Sequence, residues 1–378
     1  MNRLAQTILN VGFFPAGILT TLLGPILPAL EARWHLDHAQ AGALFTAQFL
    51  GSLIGALLAG PAAVRWSLGA VIRAGFAISA CGLALVPAGS WAAGLAGVAI
   101  YGFGLGLIIP STNLLVAELN PGRRAAALNV LNFAWGAGAV AAAPMAALVL
   151  RFGGFERFLL GLAVLLASQA WAAGWTRVPV SPPEAPPQAG NPWRSSWFWL
   201  AGAFLFLYVG VENGLAGWLP SYVLGVLRLP DRIMAAVQIG FWGALLAVRL
   251  AAPAFLRRIA PGWLILSGLG AAMAGMLWLL SAASGWTLAA AAMLAGAGLA
   301  TLFPTAVALF TERASAQGEQ LTGTVFAMSA LGGATLPWTV GILSARLGSL
   351  RSAMLLPLFA CLLMAMIQIG QMRAPGRA

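Results

Sequence analysis

The sequence predicts an all-α polytopic membrane protein with twelve transmembrane helices in two pseudo-symmetric six-helix bundles. Three observations carry this prediction. The 378 residues are 61% hydrophobic and 8% charged, with a mean hydropathy of +0.90, a composition that excludes soluble enzymes, secreted disulfide scaffolds and disordered tails. Apolar runs long enough to cross a hydrocarbon layer of about 30 Å recur twelve times. Local patterns of the first half also recur in the second.

In chain order the spans fall at residues 6–30, 40–64, 68–88, 91–117, 125–150 and 155–176, then at 196–225, 232–256, 262–281, 286–311, 319–345 and 351–371. The first follows Arg3 but carries Pro15 and has no small-residue cleavage site before Glu31, so it reads as a retained span and not a signal peptide. Residues 177–195 hold Pro179, Pro182, Pro183, Pro186, Pro187 and Pro192 and read as an extended, solvated cytoplasmic linker. The expected organisation is therefore a bundle over 1–176, the linker over 177–195 and a second bundle over 196–378. Gly55-Ala56-Leu57-Leu58 returns as Gly243-Ala244-Leu245-Leu246, Pro61 and Arg65 return as Pro253 and Arg257, and Pro110 and Pro144 return as Pro304 and Pro337. Offsets of 188 to 194 residues keep one register across several helices. A duplicated six-helix unit around a central site is the architecture of a secondary transporter.

The net charge of +11 comes from 20 arginines against 9 acids. The arginines stand singly between apolar segments, which fits an anionic membrane surface and not a nucleic acid. With the amino terminus inside, twelve arginines fall in the cytoplasm and seven outside. That bias places both termini in the cytoplasm of a cell (inner) membrane protein. Cys81 and Cys361 lie in separate apolar segments with no Cys or His at metal-ligand spacing, so no metal, disulfide or cofactor is expected. No phosphate-binding loop, zinc-protease motif or hydrolase triad is present, and the chain is not read as an enzyme. Gly102, Gly104 and Gly106 lie within an apolar helix and serve close helix packing. His35, Asp37 and His38 form a solvated external turn.

Glu212 is the one acid deep in a span, about 16 residues and roughly 24 Å from the start of the seventh helix. Such a group needs a partner or an aqueous cavity. The surrounding Tyr208-Val-Gly-Val-Glu-Asn-Gly-Leu-Ala-Gly-Trp218-Leu-Pro-Ser-Tyr222 is weakened by Gly210, Gly214, Gly217 and Pro220. Glu212, Asn213, Trp218 and Tyr222 together offer acceptors, donors and aromatic faces suited to a polyhydroxylated ligand. The first half contributes Gln48, Asn113, Asn129 and Asn132, with Trp135 beside the face that Asn129 and Asn132 share. Gln238, Trp242, Thr305 and Trp338 are expected to line the opposite wall. Arg249 sits seven residues, roughly 10 Å, from the cytoplasmic end of the eighth helix. That axial difference argues against a direct pair with Glu212; Arg249 reads either as an anchor at the inner gate, a gating residue with Arg65 and Arg257, or as a substrate or counter-ion group.

These stretches resemble the major facilitator superfamily over essentially the full length, most closely its fucose, galactose and glucose proton symporter branch. The resemblance rests on Tyr208 to Glu212, Phe303-Pro304-Thr305, Leu331-Gly332-Gly333-Ala334 with Pro337, and Asn113 after the glycine-rich fourth helix. The superfamily loop signature is worn to Gly60-Pro61-Ala62-Ala63-Val64-Arg65-Trp66-Ser67, with Val64 where Asp is usual. The branch's carboxylates in the first and fourth helices are replaced by Thr21-Leu22-Leu23-Gly24 and Ile108-Ile109-Pro110. Proton coupling therefore falls on Glu212, or the protein is a uniporter. The resemblance implies transport of a neutral sugar or polyol by rocking of the two bundles about a midplane site, in a monomer embedded in the lipid bilayer. An exporter of amphipathic drugs or lipids is the alternative, and a non-transporting membrane sensor a remote one.

Overall fold

The computed structural model describes residues 2–152, 154–174, 196–256, 258–282, 284–314 and 319–373. The linker expected at 177–195 and the gating residue Arg257 lie outside these. Regular structure among the described residues is helical, and twelve helices are long and apolar enough to cross a membrane. The first half comprises α1 (Asn2–Thr21), α2 (Leu23–Trp34), α3 (His38–Trp66), α4 (Leu68–Leu85), α5 (Trp91–Leu119), α6 (Arg124–Arg151) and α7 (Phe155–Ala173). The second comprises α8 (Ser196–Ser221), a π-turn (Tyr222–Val226), α9 (Asp231–Leu256), α10 (Pro261–Ser281), α11 (Gly285–Leu299), α12 (Leu302–Ala314), α13 (Glu319–Leu347), α14 (Leu350–Ala353) and α15 (Leu355–Arg373).

Prolines decide where the spans break. A proline lacks the N–H that the carbonyl four residues earlier would accept, and its ring clashes with that carbonyl. The first span stops at Thr21, four before Pro25, and resumes at Leu23; the tenth is interrupted at Ala300, four before Pro304; the twelfth pauses after Ala353, four before Pro357. The sequence reads each of these as a single span. Pro15, Pro61, Pro110, Pro144 and Pro337 remain inside continuous helices. Helix starts are capped locally: Asp37 forms a capping box with Gln40 at α3, and Ser67, Ser90 and Ser284 cap α4, α5 and α11.

The chain divides into two compact units, Met1–Pro183 and Glu184–Ala378. Within the first, α1 packs on α6, α3 and α4 on α5, and α4 on α7. Within the second, α8 packs on α13, α9 and α10 on α11, and α10 on α15. Span for span this is one pairing scheme used twice, as the sequence repeat requires. Lipid-embedded helices gain no hydrophobic stabilisation by leaving lipid, so small residues that admit close backbone approach decide these interfaces. A Cβ on Gly102 of α5 would collide with the backbone carbonyl of Gln48 on α3, and one on Gly296 of α11 with that of Phe241 on α9. The two contacts occupy corresponding places in the repeat.

Candidate functional site

A buried polar cluster joins α8 and α9. Glu212 is 7% exposed, and its Oε2 lies 3.5 Å from Nη2 of Arg249. The same Nη2 donates to the Tyr208 hydroxyl at 2.8 Å. Tyr208 thus accepts from the guanidinium that faces the carboxyl. Arg249 Nε donates to the Ala300 carbonyl at 3.2 Å, an oxygen that Pro304 cannot serve. One guanidinium therefore answers a buried acid, a buried hydroxyl and a helix break.

This corrects the expectation that axial distance keeps Arg249 from Glu212. In a helix each side chain leans toward the amino terminus. Successive spans run in opposite directions, so the Glu212 and Arg249 side chains lean toward one another. Tyr208, one turn below Glu212, covers the remaining gap. The chain has only three tyrosines, and Tyr101, Tyr208 and Tyr222 are each at most 1% exposed. The hydroxyls of Tyr101 and Tyr208 are hydrogen-bonded to side chains of neighbouring helices, whereas that of Tyr222 has no partner among the described residues.

Gln238, also on α9, donates through Nε2 to the Ala216 carbonyl at 2.7 Å, which is the oxygen orphaned by Pro220. In the first unit Gln48 Nε2 donates to the Thr20 carbonyl at 2.9 Å beside the break of the first span. The repeat therefore places a glutamine of each half's second span against a proline-weakened first span. The two latches differ at their other ends. Gln48 Oε1 accepts from Tyr101 at 2.9 Å, whereas Gln238 Oε1 is buried with no partner. Replacing Gln238 with Leu should cost about 1–3 kcal/mol by orphaning the Ala216 carbonyl. Pro220→Ala in the same background restores the missing N–H and should recover most of that loss in the melting temperature of the detergent-solubilised protein.

The other expected residues are placed as follows. Trp218 is fully buried, and its indole donates to the Pro337 carbonyl at 2.8 Å, tying α8 to α13. Tyr222 and Thr305 are buried with unpartnered hydroxyls, and Trp242 is buried edge-on to Phe241. Asn113 and Asn213 are half-buried and Asn132 exposed; each donates to the carbonyl four residues earlier on its own helix at 2.9 Å. Each keeps its side-chain carbonyl and a second N–H available. Asn129 and Trp338 are exposed, and Trp135 reaches the Thr20 hydroxyl at 3.4 Å. Arg65 is exposed at the end of α3, with its guanidinium 5.9 Å from the Trp66 ring. Among the described residues no group of three or more His, Cys, Asp or Glu is placed to hold a metal.

The Major Facilitator Superfamily profile matches residues 9–318. The chain belongs to that superfamily. It is a multi-pass membrane transporter. It is 32% identical over 120 residues to the 4-hydroxybenzoate transporter PcaK of Acinetobacter baylyi, covering 29% of this chain and 24% of that one. The chain thus matches about a quarter of the length of this curated relative. Among solved structures it is similar to the Major Facilitator Superfamily transporter FucP in the outward conformation, at 20% identity over 98% of this chain and 99% of that one, with a TM-score of 0.66. A D-xylose-proton symporter shares 17% identity over 95% and 96% of the two chains, with a TM-score of 0.76. At these identities the likeness establishes the superfamily fold.

Proposed function

We propose that the protein transports a neutral sugar or polyol by alternating access of its two six-helix halves, 1–176 and 196–378, with Glu212 as the proton-coupling carboxyl. The observation that carries this reading is the compensated Glu212–Arg249 pair at 3.5 Å. A neutral solute can exchange hydrogen bonds with such a centre without bringing a charge into the membrane. Anchored amides at Asn213, Asn113 and Asn132 each offer one donor and one acceptor, the complement of a hydroxyl. In this proposal a proton arriving on Glu212 removes the charge facing Arg249 and frees Tyr208 and Arg249 to rearrange, which links protonation to the conformation of α8 and α9. The excess of arginines in the inner loops supports both termini on the cytoplasmic side of the cell membrane.

A second reading rests on the similarity to PcaK. Once Glu212 is protonated, Arg249 becomes a free cation that a small aromatic carboxylate could occupy. Solute counterflow in proteoliposomes containing only this protein separates the two. Exchange of labelled monosaccharides or polyols, unaffected by excess 4-hydroxybenzoate, is the expected result. Exchange of 4-hydroxybenzoate with no response to any neutral sugar or polyol would replace the first reading by the second.

A further inference from the structure

The end of the second unit that carries the last turns of α15 contains a cavity of about 430 Å³, a volume typical of small-molecule sites. None of its lining residues belongs to the Glu212 network. Contacts of α8 with α15, α15 with α10, α10 with α12 and α12 with α8 close a ring of four helices around it. Trp197 enters from the first turn of α8, Gly262 from the first turn of α10, Phe310 from the end of α12, and Gln368 and Gln371 from the end of α15. The cavity therefore opens along the helix ends and is walled sideways by helices.

Its chemistry is uneven in an informative way. Every described lining residue is uncharged. Trp197 and Phe310 stack with centroids 4.9 Å apart and planes 6° from parallel, forming a rigid aromatic wall. Gln368 is only 4% exposed, yet its amide has no hydrogen-bond partner among the described residues. Its polar atoms are not sealed by protein, so they face the cavity. Gln371, three residues on, shares that helical face. Gly262 keeps the amide clear, because a Cβ there would stand 3.1 Å from both Gln368 Nε2 and Met372 Sδ.

An amide whose donor and acceptor are both unused within the protein is met either by water or by a polar ligand that reproduces those bonds. Two amides beside an aromatic wall, with no charge among the described lining residues, select a flat uncharged partner with a donor and an acceptor on one edge. A glutamine amide pairs with such an edge through two hydrogen bonds, as it does with adenine. A charged ring would lose its hydration with nothing to replace it. We propose that this cavity is a binding site for an uncharged aromatic amide or amide-edged heterocycle, separate from the transport centre. The proposal does not depend on which solute is carried.

Benzamide and nicotinamide are suitable probes, with benzoate as the charged isostere, titrated calorimetrically against the full-length protein in detergent. Both amides should bind, and benzoate should bind at least about tenfold more weakly. Gln368→Leu should weaken benzamide binding about tenfold, Gly262→Leu should abolish it by filling the cavity, and Glu212→Gln should leave it unchanged. Melting curves without ligand establish that each variant is folded, and either cavity variant suffices if the other does not fold. Absence of binding by both amides at millimolar concentration would overturn the proposal. So would equal binding of benzoate, or binding that survives both cavity variants or is lost with Glu212→Gln.

Discussion

Arg249→Met is expected to destabilise the protein by about 2–3 kcal/mol, more than Arg249→Met and Glu212→Gln combined. Removing one member of a buried pair strands the other, typically at 3–5 kcal/mol. The smaller figure applies here because the Arg249 side chain keeps 28% of its exposure. The single variant leaves the Glu212 carboxylate without its cation and the Ala300 carbonyl without a donor. The double variant removes the stranded charge and retains only the Ala300 loss. Equilibrium unfolding in detergent measures both, and the coupling between the two sites is the deciding quantity. Two losses that simply add would mean the charges do not sense one another, and the site as described would be wrong.

The second large effect is expected at Gly102. Alanine there drives a methyl group into the Gln48 carbonyl across the α3–α5 interface. Backbone cannot yield as a flexible side chain does, so the helices must separate. Overpacking of this kind costs about 1–3 kcal/mol or more. Here it also displaces the residue that bonds Thr20 and Tyr101. Gly270→Ala in α10, where a Cβ meets nothing within 4 Å, should be neutral or stabilising, since alanine favours a helix by up to about 1 kcal/mol over glycine. A melting temperature lowered by Gly102→Ala and unchanged or raised by Gly270→Ala is the expected outcome. Equal behaviour of the two variants would contradict close backbone contact as the basis of helix pairing.

The twelve spans were legible in the sequence because hydrocarbon imposes length and composition on every crossing helix. The repeat was legible because proline and glycine positions recur in register. The breaks within the first, tenth and twelfth spans were legible in principle, since each lies four residues before Pro25, Pro304 or Pro357. A hydropathy reading smooths across them. Glu212 stood out as a deep acid, but its partner did not, because a count along two helices ignores side-chain reach and lean. The glutamines were found as polar residues in oil, yet their bonds to Thr20 and Ala216 depend on which carbonyls the neighbouring helix leaves open. That information sits in a different span from the residue itself. Gln368 and Gln371 stand in the last turns of the final span, and nothing in the sequence marks them until four helices close around a cavity there.

The most direct test of Glu212 as the coupling carboxyl is accumulation driven by an inside-alkaline pH gradient in proteoliposomes. It uses the neutral solute identified by counterflow and compares the natural protein with Glu212→Gln. The natural protein should concentrate the solute above equilibrium, while the variant should retain counterflow and lose accumulation. Gradient-driven accumulation by Glu212→Gln equal to that of the natural protein would contradict the account.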